Sequence, residues 1–163
     1  MTTPSTGRIE QGATGRILAI ERTFTAAIGD VWASITEPER TARWVGPWTG
    51  DPITGPIAVT WTAEAGAPVE YLRVLECVPP SRLVVLTDGD GAEAWHIELS
   101  LVEHDGSTTL TLRQRLSPTI SPSTVGPGWE FYLDRLTAAR AGREPAPFTS
   151  YSGSVEAHYA ALD

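Results

Sequence analysis

Apolar and polar positions alternate with a period of two through the middle of the chain. Trp95, Ile97, Leu99 and Leu101 fall on one side, and Ala94, His96, Glu98 and Ser100 on the other. The same holds for Leu110, Leu112 and Leu116 against Thr109, Thr111, Arg113 and Arg115. Such alternation predicts strands with one wet and one buried face. With turn residues as boundaries, strands are expected at 57–62, 69–78, 82–87, 93–102 and 108–116. His104-Asp105-Gly106-Ser107 and Pro79-Pro80-Ser81 supply short turns, so the neighbouring strands should be antiparallel.

Before this block, Arg8-Ile9-Glu10 and Arg16 to Phe24 form a candidate hairpin across the Gln11 to Gly15 turn. Leu18, Ile20 and Phe24 share a face of the second strand, and Arg22 falls among them. Arg22 is read in two ways: as a strand-end arginine whose stem packs while its head reaches water or a carboxylate, or as an anchor for an anionic ligand group. Val31, Trp32 and Ile35 lie on one side of a short helix over 28–36. Thr36 and Glu39 have the form of a capping box, with Pro38 in the first turn, for a second short helix running to about Trp44. Residues 117–126 read as a loop. The long helix is then expected from Pro127, with Trp129, Tyr132, Leu133, Leu136 and Ala139 at helical spacing and Gly142 as its stop. A further short helix is expected from about Ser154 in an apolar tail.

This order predicts an α+β fold in which an antiparallel sheet is covered by one long helix, a geometry that tends to enclose a binding cavity. The expected divisions are a disordered 1–6, a single domain over 7–142, and a docking tail over 143–163. A chain of 163 residues is long enough to bury about 68–70% of its unfolded surface. Trp61, Trp95 and Trp129, with Leu99, Leu112, Leu133 and Leu136, are the residues expected between sheet and helix, where they either pack the core or touch a ligand. Gln114 shares the register of Leu110 and Leu112, so its amide should point inward, toward neighbouring backbone or a ligand. Trp44, Trp48, Phe148 and Tyr151 are expected at the surface, where they motivate a protein-interaction reading.

Composition narrows the chemistry. The net charge is −8, from 20 acidic residues against 12 basic ones, all arginine, which argues against a nucleic-acid partner. One cysteine, Cys77, excludes an internal disulfide and a thiolate zinc cluster and fits a reducing, cytoplasmic location. No signal-like or membrane-spanning apolar run is present. Neither a metal nor a cofactor is expected: the three histidines lack paired spacing, and Asp88-Gly89-Asp90-Gly91 with Glu93 reads as a turn, not as a calcium loop. Nucleophile elbows, phosphate loops and dinucleotide fingerprints are missing. An acid–base role falls to Glu70, Glu76 or Glu93, but each alternates poorly with the apolar set.

Several stretches together resemble the activator-of-chaperone-ATPase (Aha-type) branch of the START-like (SRPBCC) helix-grip superfamily. They are Glu21-Arg22-Thr23-Phe24-Thr25-Ala26, Val31-Trp32, Thr36-Glu37-Pro38-Glu39-Arg40, Arg43-Trp44, Pro79-Pro80-Ser81-Arg82-Leu83, and Gly128-Trp129 with Leu133-Asp134-Arg135-Leu136. The resemblance implies a curved sheet gripping a C-terminal helix around an apolar cavity, and a hydrophobic small molecule such as a lipid, polyketide or aromatic metabolite as partner. Across that superfamily the scaffold also serves cyclase or dehydratase enzymes and interaction modules, so a cyclase-like activity, a homodimer or a chaperone contact are the alternatives. No family-wide catalytic residues exist to be carried over.

Overall fold

The computed structural model describes residues 4–89 and 93–163. A hairpin of β1 (Arg8–Gly12) and β2 (Gly15–Phe24) leads into α1 (Ile28–Thr36) and α2 (Pro38–Thr41). Six strands follow: β3 (Trp48–Thr49), β4 (Ile57–Thr60), β5 (Val69–Val78), β6 (Arg82–Thr87), β7 (His96–His104) and β8 (Ser107–Arg115). Then come α3 (Pro122–Arg140), a 3-10 turn (Phe148–Tyr151) and α4 (Ser154–Ala160). Among the described residues the strands form one sheet, antiparallel throughout, in the order β1-β2-β8-β7-β6-β5-β4-β3. With one long helix laid on a curved open sheet, this is the helix-grip architecture, and no described helix is long and apolar enough to cross a membrane.

Period-two alternation sets the core. Leu18, Ile20, Leu110, Leu112 and Leu101 are buried under the helices, while α3 turns Leu133 and Leu136 onto them. Among the strands, α3 lies closest to β2, and α1 approaches β7 and β8. The concave faces of β4, β5 and β6 therefore receive side chains rather than helix backbone, and this is where open space remains.

Three expectations need correction. The long helix begins at Pro122, behind Ser121, so Pro127 lies inside it rather than in its first turn. A mid-helix proline ordinarily costs about 3 kcal/mol. Here Gly126 and Pro127 are buried, and the ring of Tyr159 from the tail occupies the space a Cβ on Gly126 would need. Burial by a distant segment thus offsets a local penalty. The capping box does not form: Glu37 is the residue preceding α2, without a side-chain cap, and the Thr36 hydroxyl donates instead to the Trp32 carbonyl, 2.8 Å away. The α2 segment stops at Thr41 and continues as turns to Val45. Finally, Trp44 and Tyr151 are buried, Trp48 is half-buried, and only Phe148 of that group is exposed. Trp44 and Trp48 use their indole N–H groups to donate to the Ser34 and Thr36 carbonyls, both at 2.9 Å, capping the C-terminal end of α1.

At the N-terminus, Thr6 is hydrogen-bonded to Glu21 and Glu130; residues 1–3 of the segment expected to be disordered lie outside the described residues, as does Asp90-Gly91 of the Asp/Gly turn.

Candidate functional site

The concave face is not packed solid. A chamber of about 460 Å³ is floored by inward residues of five strands, among them Val59, Leu72, Val85, Ile97, Leu99 and Leu112. Ile35 of α1, Trp44 and Trp48 after α2, and Trp129 of α3 close it. Its surface is almost wholly apolar. Pockets of this size and character suit small organic ligands.

A second cavity of about 500 Å³ adjoins the first, and Trp61, Trp95 and Trp129 line both. It also presents Glu64, Glu70 and Tyr132. Trp61 follows the end of β4, Trp95 precedes β7, and Trp129 and Tyr132 are one turn apart on α3. Their rings converge: Trp61 meets Tyr132 edge-on at 5.1 Å between centroids, and Trp129 lies 6.4 Å from Trp61 and 6.1 Å from Trp95. The Tyr132 hydroxyl donates to Glu64 at 2.9 Å. Burial first, and then this hydrogen bond to an anion, push the Tyr132 pKa upward. Glu70 is half-buried on β5, in alternation with Leu72 and Val74, so the expectation that it departs from the apolar register is overturned. Burial raises its pKa, and the nearby charge of Glu64 raises it further, while the Trp61 N–H pulls the other way. That indole nitrogen has no partner within hydrogen-bond geometry among the described residues.

Gln114 is fully buried and faces α3, where its Oε1 accepts a 2.5 Å hydrogen bond from Trp129 Nε1. Its Nε2 is left without a partner among the described residues. The amide therefore orients the Trp129 ring but does not itself line either cavity.

The other sequence-predicted site residues divide. Trp61, Trp95, Trp129, Leu99 and Leu112 are brought together around the chamber. Leu133 is fully buried in the core, and Leu136 lines instead a small cleft with Arg40 and Arg140 on the far side of Trp44. Arg22 takes the carboxylate alternative and lines neither cavity. Its Nη2 donates to Glu130 and, at 2.8 Å, to Asp134, and all three side chains are buried. Burial opposes the charge on Arg22, but the two carboxylates outweigh it and hold the guanidinium protonated. Tyr151 and Tyr159 from the tail donate to Asp134 and Glu130, respectively. Tail and domain are joined through this cluster.

Sequence reasoning missed Glu64 and Tyr132 as cavity residues, and it named Glu70 only as an acid–base candidate set outside the apolar register. Glu70 was detectable from its two-residue spacing to Leu72, and Tyr132 from its three-residue spacing to Trp129. Glu64 sits in a turn with no periodic signal.

A family model described as Activator of Hsp90 ATPase homolog 1-like protein matches residues 25–141. No curated protein matches the chain significantly. Among solved structures, the crystal structure of CalU16 from Micromonospora echinospora aligns with a TM-score of 0.76 at 24% identity, over 98% of this chain and 98% of that one. The protein encoded by BPP1335 from Bordetella parapertussis aligns with a TM-score of 0.66 at 24% identity, over 98% and 94%. DynU16, a protein in the dynemicin biosynthetic locus, aligns with a TM-score of 0.64 at 24% identity, over 81% of this chain and 49% of its own. At these identities the likeness is one of fold.

Proposed function

The chain belongs to the activator of Hsp90 ATPase homolog 1-like family, and from that premise we propose that it binds a hydrophobic small molecule in the chamber between the curved sheet and α3. The chamber itself is the supporting observation: about 460 Å³ of space bounded largely by aliphatic and tryptophan side chains. Empty apolar volume forfeits dispersion contacts that a better-filled core would make, and an apolar guest restores them. DynU16 coming from a biosynthetic locus is consistent with a metabolite as the guest. Native mass spectrometry of the purified chain, followed by thermal shift against lipids, sterols and aromatic polyketides, tests the reading. A co-purifying mass or a concentration-dependent rise in Tm is the expected result. Neither a retained mass nor any shift across the panel would remove the proposal.

The adjoining cavity favours one second reading, a cyclase-like enzyme. A half-buried carboxyl with a raised pKa, next to a second carboxylate and a phenol, is the kind of group that moves protons in a water-poor site. On this reading Glu70→Gln abolishes turnover of a bound poly-carbonyl substrate while retaining its binding. Unchanged turnover would exclude Glu70 from the chemistry. The protein-interaction alternative loses two of its four motivating residues, because Trp44 and Tyr151 are covered by the chain's own structure.

A further inference from the structure

The cavity beside the chamber carries a charge pattern that the chamber does not. Its only charged lining residues among the described ones are Glu64 and Glu70, in a chain without lysine, and no arginine or histidine joins them. Arg135, whose charge reaches Tyr132, is engaged elsewhere: it donates to the Trp44 carbonyl at 2.9 Å and lies 5.5 Å over the Phe131 ring. Around the two carboxylates stand Trp61, Trp95, Trp129 and Tyr132, with neighbouring ring centroids 5.1 to 6.4 Å apart. Aromatic faces carry negative quadrupole charge and attract cations, tryptophan most strongly. An anionic group placed here would meet two carboxylates with no counter-charge. A neutral group would leave Glu70 partly desolvated beside Glu64, whereas a cation is attracted by both carboxylates and by the ring faces.

The geometry points to a cation subsite: the cavity takes the protonated amine of an amphipathic ligand, held between Glu64, Glu70 and the aromatic rings, with its hydrocarbon against the tryptophans that also wall the chamber. This rests on the hydrophobic-ligand reading and specifies the class of ligand. Tyr132 fixes the Glu64 carboxylate by hydrogen bonding, and on this proposal Glu70, whose charged form the Trp61 N–H already favours, accepts from the ammonium.

The test titrates the full chain with decylamine, decanol and decanoate near neutral pH, following tryptophan fluorescence and confirming by calorimetry. Decylamine is expected to bind at least ~10-fold tighter than decanol, the ratio that one cation–π contact plus one partly exposed ion pair supports, and decanoate weaker than decanol. Glu70→Gln is expected to cut the amine-to-alcohol ratio at least ~3-fold, and Glu64→Gln, an independent variant, to do the same. If decanol binds as tightly as decylamine, the cation subsite is overturned and the apolar chamber stands. An amine preference that survives in both variants overturns it equally, by placing the cation elsewhere. Should none of the three probes bind, the chamber reading and the subsite fall together.

Discussion

Helix α3 has two unlike sides. Toward the tail, Glu130 and Asp134 share Arg22, and Tyr151 and Tyr159 donate to the remaining carboxylate oxygens, so buried charges are matched by buried partners. Toward the sheet, Trp129 and Tyr132 face open space. The two buried side-chain nitrogens without partners among the described residues, Trp61 Nε1 and Gln114 Nε2, both belong to that side, the first as a cavity wall and the second as the group bonded to Trp129. On one side the buried charges are paired, and on the other open space and two unpartnered nitrogens remain among the described residues. On the proposed function, stability and binding fall to opposite surfaces of a single element.

The sharpest way to break this contrast is to strip the tail side of its cation. Arg22→Met leaves Glu130 and Asp134 buried with no counter-charge and is expected to cost about 3–5 kcal/mol in urea denaturation. A loss below about 1 kcal/mol would mean that the cluster is hydrated rather than sealed. On the sheet side, Trp129→Ala is expected to cost about 3 kcal/mol, the low end for a large aromatic because part of its ring already faces a cavity, and to remove ligand binding as well. Tyr159→Phe keeps the ring and deletes one donor to buried Glu130, for an expected cost of about 1–2 kcal/mol with ligand affinity unchanged.

The smallest effect has the opposite sign. Glu70 has a folded-state pKa above its ordinary value of 4.5, so the folded chain holds that proton more tightly than the unfolded chain does. Stability therefore falls as pH rises from about that value through the folded pKa, then levels off. Glu70→Gln should flatten this part of the profile and raise stability near neutral pH by less than about 1 kcal/mol, as befits a half-exposed group. A variant that is less stable than the parent at neutral pH would show that the carboxylate is already compensated.

What could be read from the chain alone follows its local periodicities. The inward set Ile97, Leu99, Leu101, Leu110 and Leu112 and the inward amide of Gln114 follow from a period of two, and all of these residues are buried. The convergence of Trp61, Trp95 and Trp129 was legible for the same reason, since each sits at or beside a periodic segment. Contacts between distant segments were not legible. Nothing near Pro127 announces that Tyr159 will bury the turn preceding it, and nothing near Trp44 announces that its N–H will cap α1. Arg22 shows the boundary between the two cases: its inward register was evident, but the choice between a ligand anion and Glu130 with Asp134 depended on how α3 is rotated.

Tyr159 seats its ring where Gly7 and Gly126 have no side chains: a Cβ would fall 2.1 Å from its hydroxyl oxygen in the first case and 2.2 Å from a ring carbon in the second. The stretch just before β1, the opening turns of α3 and the last helix therefore meet at one shared peg. Loss of that one ring would therefore loosen the beginning and the end of the described chain together.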